Sequence, residues 1–188
     1  VLAGLRERID HSPQQQLRIL VPGSGLGRLA FDVAEDFAGS EVVAVEPDVH
    51  AQVMAAQLMQ PPDAEACAAE SERAAAAPDA SGRRAGAGQR ALYPAIHLRT
   101  NWAAAEDRLR AVFVPDVSRE RLARVQREAN VSLVVGSFPE AFEGGGSDAA
   151  ELAGRGFDAV ATVFFVDVLA DLRAALATLR DLLAPTRG

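Results

Sequence analysis

An apolar run from Leu17 to Val21, broken only by Arg18, leads directly into Gly23-Ser24-Gly25-Leu26-Gly27. Beyond the glycines, Leu29, Ala30, Val33, Ala34 and Phe37 recur at helical spacing. A buried strand, a tight glycine turn and an amphipathic helix are thereby laid down in a row. A second apolar strand follows at Val42–Val45, ending at Glu46. After it comes a helix over Asp48–Gln60, with Val49, Val53, Ala56 and Leu58–Met59 placed roughly on one side. Strand–helix–strand–helix at this spacing predicts an α/β fold with a parallel-sheet core.

From Pro61 to Arg90 the pattern breaks down. Pro, Ala, Gly, Ser and charged residues dominate, with almost no large apolar side chain to bury, so this stretch reads as a disordered insertion within one domain spanning 1–188. An Ala-rich helix over Ala64–Ala77 is the alternative there. Order returns at Leu92–His97 and Val112–Val117. Ser118 then N-caps a helix to Ala129, and Val131–Val135 forms a third strand. A glycine-rich loop at Gly144–Ser147 precedes a long strand over Asp158–Val166. This strand is apolar at almost every position, as expected for burial on both faces in a parallel sheet. Leu169, Leu172, Ala175, Leu176, Leu179, Leu182 and Leu183 line one face of a final helix that Pro185 stops. The residues after Pro185 hold no further strand, so the sheet is expected to be incomplete at its C-terminal side.

The formal net charge is -7, and all 19 basic residues are Arg. Such a chain, with no basic block, is a poor partner for nucleic acid or a membrane surface. Three scattered histidines and the single Cys67 offer no metal-ligand spacing, and one cysteine forms no internal disulfide. With no secretory leader or apolar run of spanning length in view, the expected compartment is the cytoplasm, with the nucleus also open.

The candidate site starts at the glycines. Without side chains they admit a ligand close to the backbone, and the helix N-terminus that follows favours negative charge. A dinucleotide fingerprint needs a third glycine where Arg28 stands. An acid at the end of the second strand, Glu46, suits the hydroxyl pair of a ribose, whichever nucleoside carries it. Ser24 lacks a recognisable base partner and is not read as a nucleophile. Of Phe164 and Phe165, one is expected in the core and one on a pocket wall.

The segment Leu20-Val21-Pro22-Gly23-Ser24-Gly25-Leu26-Gly27-Arg28-Leu29-Ala30 resembles the first motif of the carnosine N-methyltransferase family, which has Pro before the first glycine. Further matches follow in the family's order. They are Tyr93-Pro94-x-Ile96-His97 with Asn101, Val114-Pro115-Asp116-Val117, Gly136-Ser137-Phe138, and Phe157-Asp158-Ala159-Val160-x-Thr162-x-Phe164-Phe165-Val166-Asp167. The resemblance implies a Rossmann-like class I methyltransferase fold that binds S-adenosyl-L-methionine. It implies cofactor contacts at Gly23, Gly25, Gly27, Glu46, Ser137, Phe138 and Val163. It also implies contact of Asp167 with a small-molecule substrate, a histidine-containing dipeptide. The implied reaction is methylation of an imidazole nitrogen of carnosine, giving anserine, with Asp167 orienting the ring. The chain departs from the family at Ser137, where an acid is usual, at Ala95 in place of Trp, and at Val168-Leu169 in place of Thr-Ala. The family's N-terminal arm would precede Val1, and the part that helps hold the dipeptide would follow Gly188, so truncation at both ends is expected. The alternatives are a methyltransferase remnant that only binds cofactor and, disfavoured by Arg28, an NAD(P)-dependent oxidoreductase.

Overall fold

The computed structural model describes residues 1–9, 16–59, 89–93, 104–114, 117–143 and 154–183. The chain divides into two compact units, Val1–Met59 with Arg124–Gly188, and Gln60–Ala123.

In the first unit, α1 (Leu2–Arg8) precedes β1 (Arg18–Pro22), α2 (Arg28–Asp36), β2 (Glu41–Glu46) and α3 (Val49–Met59). β1 and β2 are buried at almost every position, as their apolar stretches Ile19–Val21 and Val42–Val45 require when both faces of a parallel sheet are covered. The second unit contains an antiparallel pair, β3 (Arg90–Leu92) with β4 (Val112–Val114), in the register Ala91 opposite Phe113. Between them, a 3-10 turn over Ala105–Leu109 is closed by Asp107, whose carboxylate accepts from the Ala104 amide at 3.0 Å. The helix α4 (Arg119–Glu128) starts in this unit, and its Arg121 amide donates to Ser118 Oγ at 3.3 Å, the N-cap expected from the sequence. Then come β5 (Asn130–Val135), the short α5 (Phe138–Glu143), β6 (Ala159–Val160) and α6 (Leu172–Leu182), all in the first unit.

Among the described residues the main sheet has the order β5-β2-β1-β6, with every pairing parallel. Chain order therefore reverses at β1. The chain steps from β1 outward to β2 and β5, then returns to lay β6 on the other side of β1. An α/β sheet of this kind opens a crevice at the carboxyl ends of its strands, at the point of reversal between β1 and β6. The core beneath that edge contains Leu20, Val43, Val45, Phe138, Phe157 and Phe165, closed by Ala175 and Leu182 of α6. Phe138 meets Phe165 edge to face at 5.5 Å between ring centres, a favoured aromatic geometry.

Several expectations need correction. The insertion at 61–90 and the possible helix at 64–77 lie outside the described residues as far as 88, while Arg90 already belongs to β3. Pro94–Asn101, Pro115, Asp116 and Gly144–Ser147 also lie outside them. On α3 the expected face is wrong. Val49 and Val53 are about half exposed, and the buried residues are Gln52 and Ala55. Gln52 turns inward because its amide donates to the Val134 carbonyl of β5 at 3.2 Å, a bond that offsets the cost of burying it. The long strand expected over Asp158–Val166 shrinks to Ala159–Val160, and one more ladder bond follows, from the Ala161 amide to the Leu20 carbonyl. The chain has left the sheet by the time it reaches Phe164, whose left-handed backbone (φ 54°) no strand accommodates, and Val163, Phe164 and Val166 reach the surface. On α6, Ala175, Leu179 and Leu182 face the core, whereas Leu172, Leu176 and Leu183 are exposed, so the inward stripe is narrower than the leucines suggest.

The opposite edge of the sheet is fastened by charge. Arg18 Nε donates to Glu41 Oε2 at 2.9 Å and Nη2 to Oε1 at 3.3 Å, while Nη1 donates to the Gly156 carbonyl. The Arg18 guanidinium also lies 4.9 Å from the centre of the Phe157 ring. Both members of the pair are buried, which explains an arginine within an otherwise apolar strand. The Arg18 hydrogen bonds hold the Glu41 carboxyl below its ordinary value of 4.5, against the opposing effect of burial and helped by the charges of Arg18 and Arg155. A depressed carboxylate contributes stability that is complete above its unfolded value and is lost as pH falls through its folded one. Glu41→Gln leaves Arg18 buried without its counter-charge and is expected to cost about 3 kcal/mol at pH 7. In urea denaturation, the gap between wild type and variant should narrow as pH falls below 4.5. A gap that stays constant from neutral pH to pH 3 would show that the pair does not carry this stability.

Candidate functional site

The glycine loop hangs on the end of β2. The amides of Gly23 and Ser24 both donate to the Val45 carbonyl, at 2.8 and 3.1 Å. One residue on, the Gly25 amide donates to Glu46 Oε2 at 2.9 Å. The other oxygen, Glu46 Oε1, accepts from the Asp48 amide at 3.1 Å, and the Glu46 carbonyl accepts from the Gly136 amide at 3.1 Å beyond β5. Across the loop, Thr162 Oγ1 donates to the Pro22 carbonyl at 3.3 Å. The carboxyl ends of β1, β2, β5 and β6 are thereby tied to one another around the glycines.

All three glycines need positive φ, at 66°, 53° and 80° for Gly23, Gly25 and Gly27. Their surroundings differ. A Cβ on Gly23 would lie 2.9 Å from Phe165 Cδ2 and 3.1 Å from its Cβ, and one on Gly27 would meet Met59 Cε at 2.5 Å and Ala55 Cβ at 3.3 Å. Gly23 and Gly27 are therefore packing glycines, the first over the core and the second over α3. A Cβ on Gly25 would meet nothing within 4 Å. The middle of the loop faces open space, with the Glu46 carboxylate beside it.

The glutamate keeps capacity for a ligand. An ionised carboxylate offers about four lone-pair sites, and the two amide donors above use one on each oxygen. Glu46 is partly exposed, so the remaining sites are reachable. Ser24 Oγ is buried and has no hydrogen-bond partner. A hydroxyl closed off from solvent is no nucleophile, as its lack of a base partner indicated. Arg28 stands on the surface of α2 with Nε at 3.0 and 2.9 Å from the two carboxylate oxygens of Asp32.

The other residues singled out from the sequence cluster at the same edge. Ser137 follows β5, and its carbonyl accepts from the Ala141 amide at 2.8 Å. The Phe138 ring is buried in the core, which leaves its main chain for any ligand. Val163 is partly exposed beyond β6, and Asp167 is exposed in a 3-10 turn over Val166–Val168. Asp167 does not cap the last helix. That part belongs to Asp171, whose Oδ1 accepts from the Ala174 amide at 2.9 Å. Of the two phenylalanines, Phe165 is in the core and Phe164 is 89% exposed. Sequence reasoning did not find the Thr162–Pro22 tie, nor that Phe165 is what obliges position 23 to be glycine. Among the described residues, no group of three His, Cys, Asp or Glu is close enough to hold a metal ion, and no helix is long and apolar enough to cross a membrane.

Sheet order, point of reversal and glycine loop define an α/β protein with a Rossmann-like parallel sheet. The sequence model of the family described as carnosine N-methyltransferase matches residues 84–187, more than half of the chain, and the chain belongs to that family. It is also 28% identical over 177 residues to a carnosine N-methyltransferase of Schizosaccharomyces pombe, an alignment covering 93% of this chain and 38% of the relative. The chain thus spans well under half the length of that protein. The family match begins after the glycine loop and Glu46, so the geometry described above adds to it independently.

The three loop glycines should respond differently to a methyl group. Gly25→Ala carries only the left-handed backbone penalty, about 1–2 kcal/mol. Gly23→Ala adds the collision with Phe165, for about 3 kcal/mol or more in total. Chemical denaturation of the two variants checks this order, and equal losses would show that Phe165 does not wedge against the loop.

Proposed function

We propose that this chain is the cofactor-binding part of an S-adenosyl-L-methionine-dependent N-methyltransferase. Its acceptor is an imidazole nitrogen of carnosine or a related histidine-containing dipeptide, and the product with carnosine is anserine. The observation that carries the reading is the open face at Gly25 beside a glutamate with unused acceptor capacity. A nucleoside with an attached amino-acid chain fits that pair. Ribose hydroxyls donate to Glu46, and the backbone of Gly23–Gly27 admits the methionine part at the N-terminal end of α2. The adenine end falls toward the turn at Ser137 and Phe138, where Ser137 supplies a hydroxyl in place of a carboxylate.

When bound, the cofactor supplies a methyl group already activated on a sulfonium. The chain's own residues need only bind, align and exclude water, and alignment alone accounts for a large part of such accelerations. A neutral imidazole attacks through the nitrogen that carries no proton, so its other nitrogen must carry one. Asp167 accepts a hydrogen bond from that N–H, which fixes the tautomer, and it stabilises the positive charge the ring gains on methylation. The methylated ring then releases this proton. Asp167 is exposed at the carboxyl side of β6 and is not used to cap α6, so its carboxylate is available for that bond.

Methyl transfer from S-adenosylmethionine to carnosine, followed by mass spectrometry, tests the reading. Asp167→Asn is expected to lower turnover about 10- to 100-fold, the scale of losses on misalignment, while leaving affinity for S-adenosylhomocysteine within about twofold. Because only the neutral ring reacts, kcat/KM for carnosine should rise with pH through the imidazole's pKa, about 6.5. Unchanged turnover in the Asn variant would remove Asp167 from the reaction. A rate that falls as the imidazole loses its proton would contradict attack by the neutral ring.

A further inference from the structure

We propose that Phe165 is a positioning residue that joins the glycine loop to the turn carrying Asp167, so that filling the loop with cofactor steadies that turn. This rests on the methyltransferase reading above. Phe165 is buried, and it bears on three segments at once. On one side it lies against Gly23, where an added Cβ would fall 2.9 Å from Phe165 Cδ2, 3.1 Å from its Cβ and 3.3 Å from its Cγ. On another side its ring meets Phe138 edge to face, with 5.5 Å between centres and 79° between planes. Its carbonyl accepts from the Val168 amide at 3.2 Å, which closes the 3-10 turn over Val166–Val168 with Asp167 at its middle.

These contacts grip the ring between two supports. Gly23 is held by the bond from its amide to the Val45 carbonyl, and Phe138 is backed by the Phe142 ring, 5.2 Å away. A close-packed interior transmits a displacement because it holds little void to absorb one. Two residues beyond Gly23, the loop faces open space at Gly25, beside the Glu46 carboxylate. A ligand bound there restrains the loop, the loop restrains Phe165 at Gly23, and the carbonyl of Phe165 holds the turn. The path from Gly23 to Val168 is thus an unbroken set of contacts through one residue, the kind of physical network that carries coupling between sites. Such coupling is reciprocal: the factor by which bound cofactor stabilises the turn is the factor by which the closed turn strengthens cofactor binding. Leucine at position 165 stays apolar but lacks the flat ring that spans from Gly23 to Phe138. Phe157 supplies the control, since it is fully buried in the same core but lies under the Arg18 guanidinium at the opposite edge.

The test follows amide hydrogen exchange by NMR at single residues, with and without S-adenosylhomocysteine, in wild type, Phe165→Leu and Phe157→Leu. Calorimetry and thermal melting are measured alongside. In wild type, S-adenosylhomocysteine should slow exchange of the Val168 amide about 5- to 20-fold, and this measurement needs no variant. Phe165→Leu should abolish that slowing and weaken S-adenosylhomocysteine binding by a similar factor, about 5- to 20-fold. Phe157→Leu should lower the melting temperature comparably, yet keep both the slowing and the affinity within about twofold of wild type. An unchanged Val168 amide in loaded wild type, slowing that survives in Phe165→Leu, or equal losses in Phe157→Leu would each overturn the coupling. Absence of S-adenosylhomocysteine binding to folded wild type counts against the methyltransferase reading instead. Exchange in the unliganded proteins then decides the link separately: Phe165→Leu should speed the Gly23, Ser24 and Val168 amides together, at least about fivefold beyond Phe157→Leu, and equal acceleration in the two variants overturns it.

Discussion

The glycine loop has its shape because the end of β2 holds it. The Val45 carbonyl takes two of its amides, and the Glu46 side chain takes a third. Those bonds exist only because β1 and β2 run parallel and in register, Pro22 opposite Val45, which brings both strand ends to the same edge. Glu46 reaches further, since its carbonyl holds the Gly136 amide beyond β5. One residue thus fixes the loop, faces the open position at Gly25 and ties in a third strand. The shape of the loop is a consequence of sheet register more than of the glycines themselves, which supply the permission to be bent and approached.

The two edges of the sheet divide the work. At the amino edge a buried arginine–glutamate pair, with Asp158 accepting from the Arg18 amide at 2.7 Å, fastens β1 to β2 and to the segment entering β6. Full satisfaction of these charges is a demand of burial. At the carboxyl edge, acceptor sites and side chains are left exposed: unused lone pairs on Glu46, the bare face of Gly25, the ring of Phe164 and the carboxylate of Asp167. Polar groups are closed where the fold needs them closed, and they are left available where the strand order reverses.

Much of this was legible in the sequence, for identifiable reasons. β1, β2 and β5 each centre on a short, mainly apolar run bounded by turn residues, and α2 has a clear stripe, so period and length sufficed. Ser118 was readable as a cap because it precedes a helical pattern directly. The face of α3 was not, because Gln52 is buried through a bond to a carbonyl of β5, and no feature of the local sequence marks that partner. The strand at Asp158–Val166 was overread because composition reports burial, whereas pairing with β1 ends at Ala161 and Phe164 takes a backbone conformation that phenylalanine gives no hint of adopting. Asp167 and Asp171 both precede the last leucine stripe, and only the bond to Ala174 shows which of them caps it. The glycines marked the turn after β1 plainly. That Gly23 answers to Phe165, far along the chain, is a tertiary fact.

The central claim is that the loop at Gly23–Gly27 and Glu46 form a working nucleoside cradle. Calorimetric titration of the purified, folded chain with S-adenosylhomocysteine, with NADH alongside, tests it most directly. The structure predicts saturable micromolar binding of S-adenosylhomocysteine, none of NADH, and at least about a tenfold loss in Glu46→Gln, the scale of a charge-assisted hydrogen bond. A folded chain that ignores S-adenosylhomocysteine, or binds it equally well without the Glu46 charge, would contradict the claim.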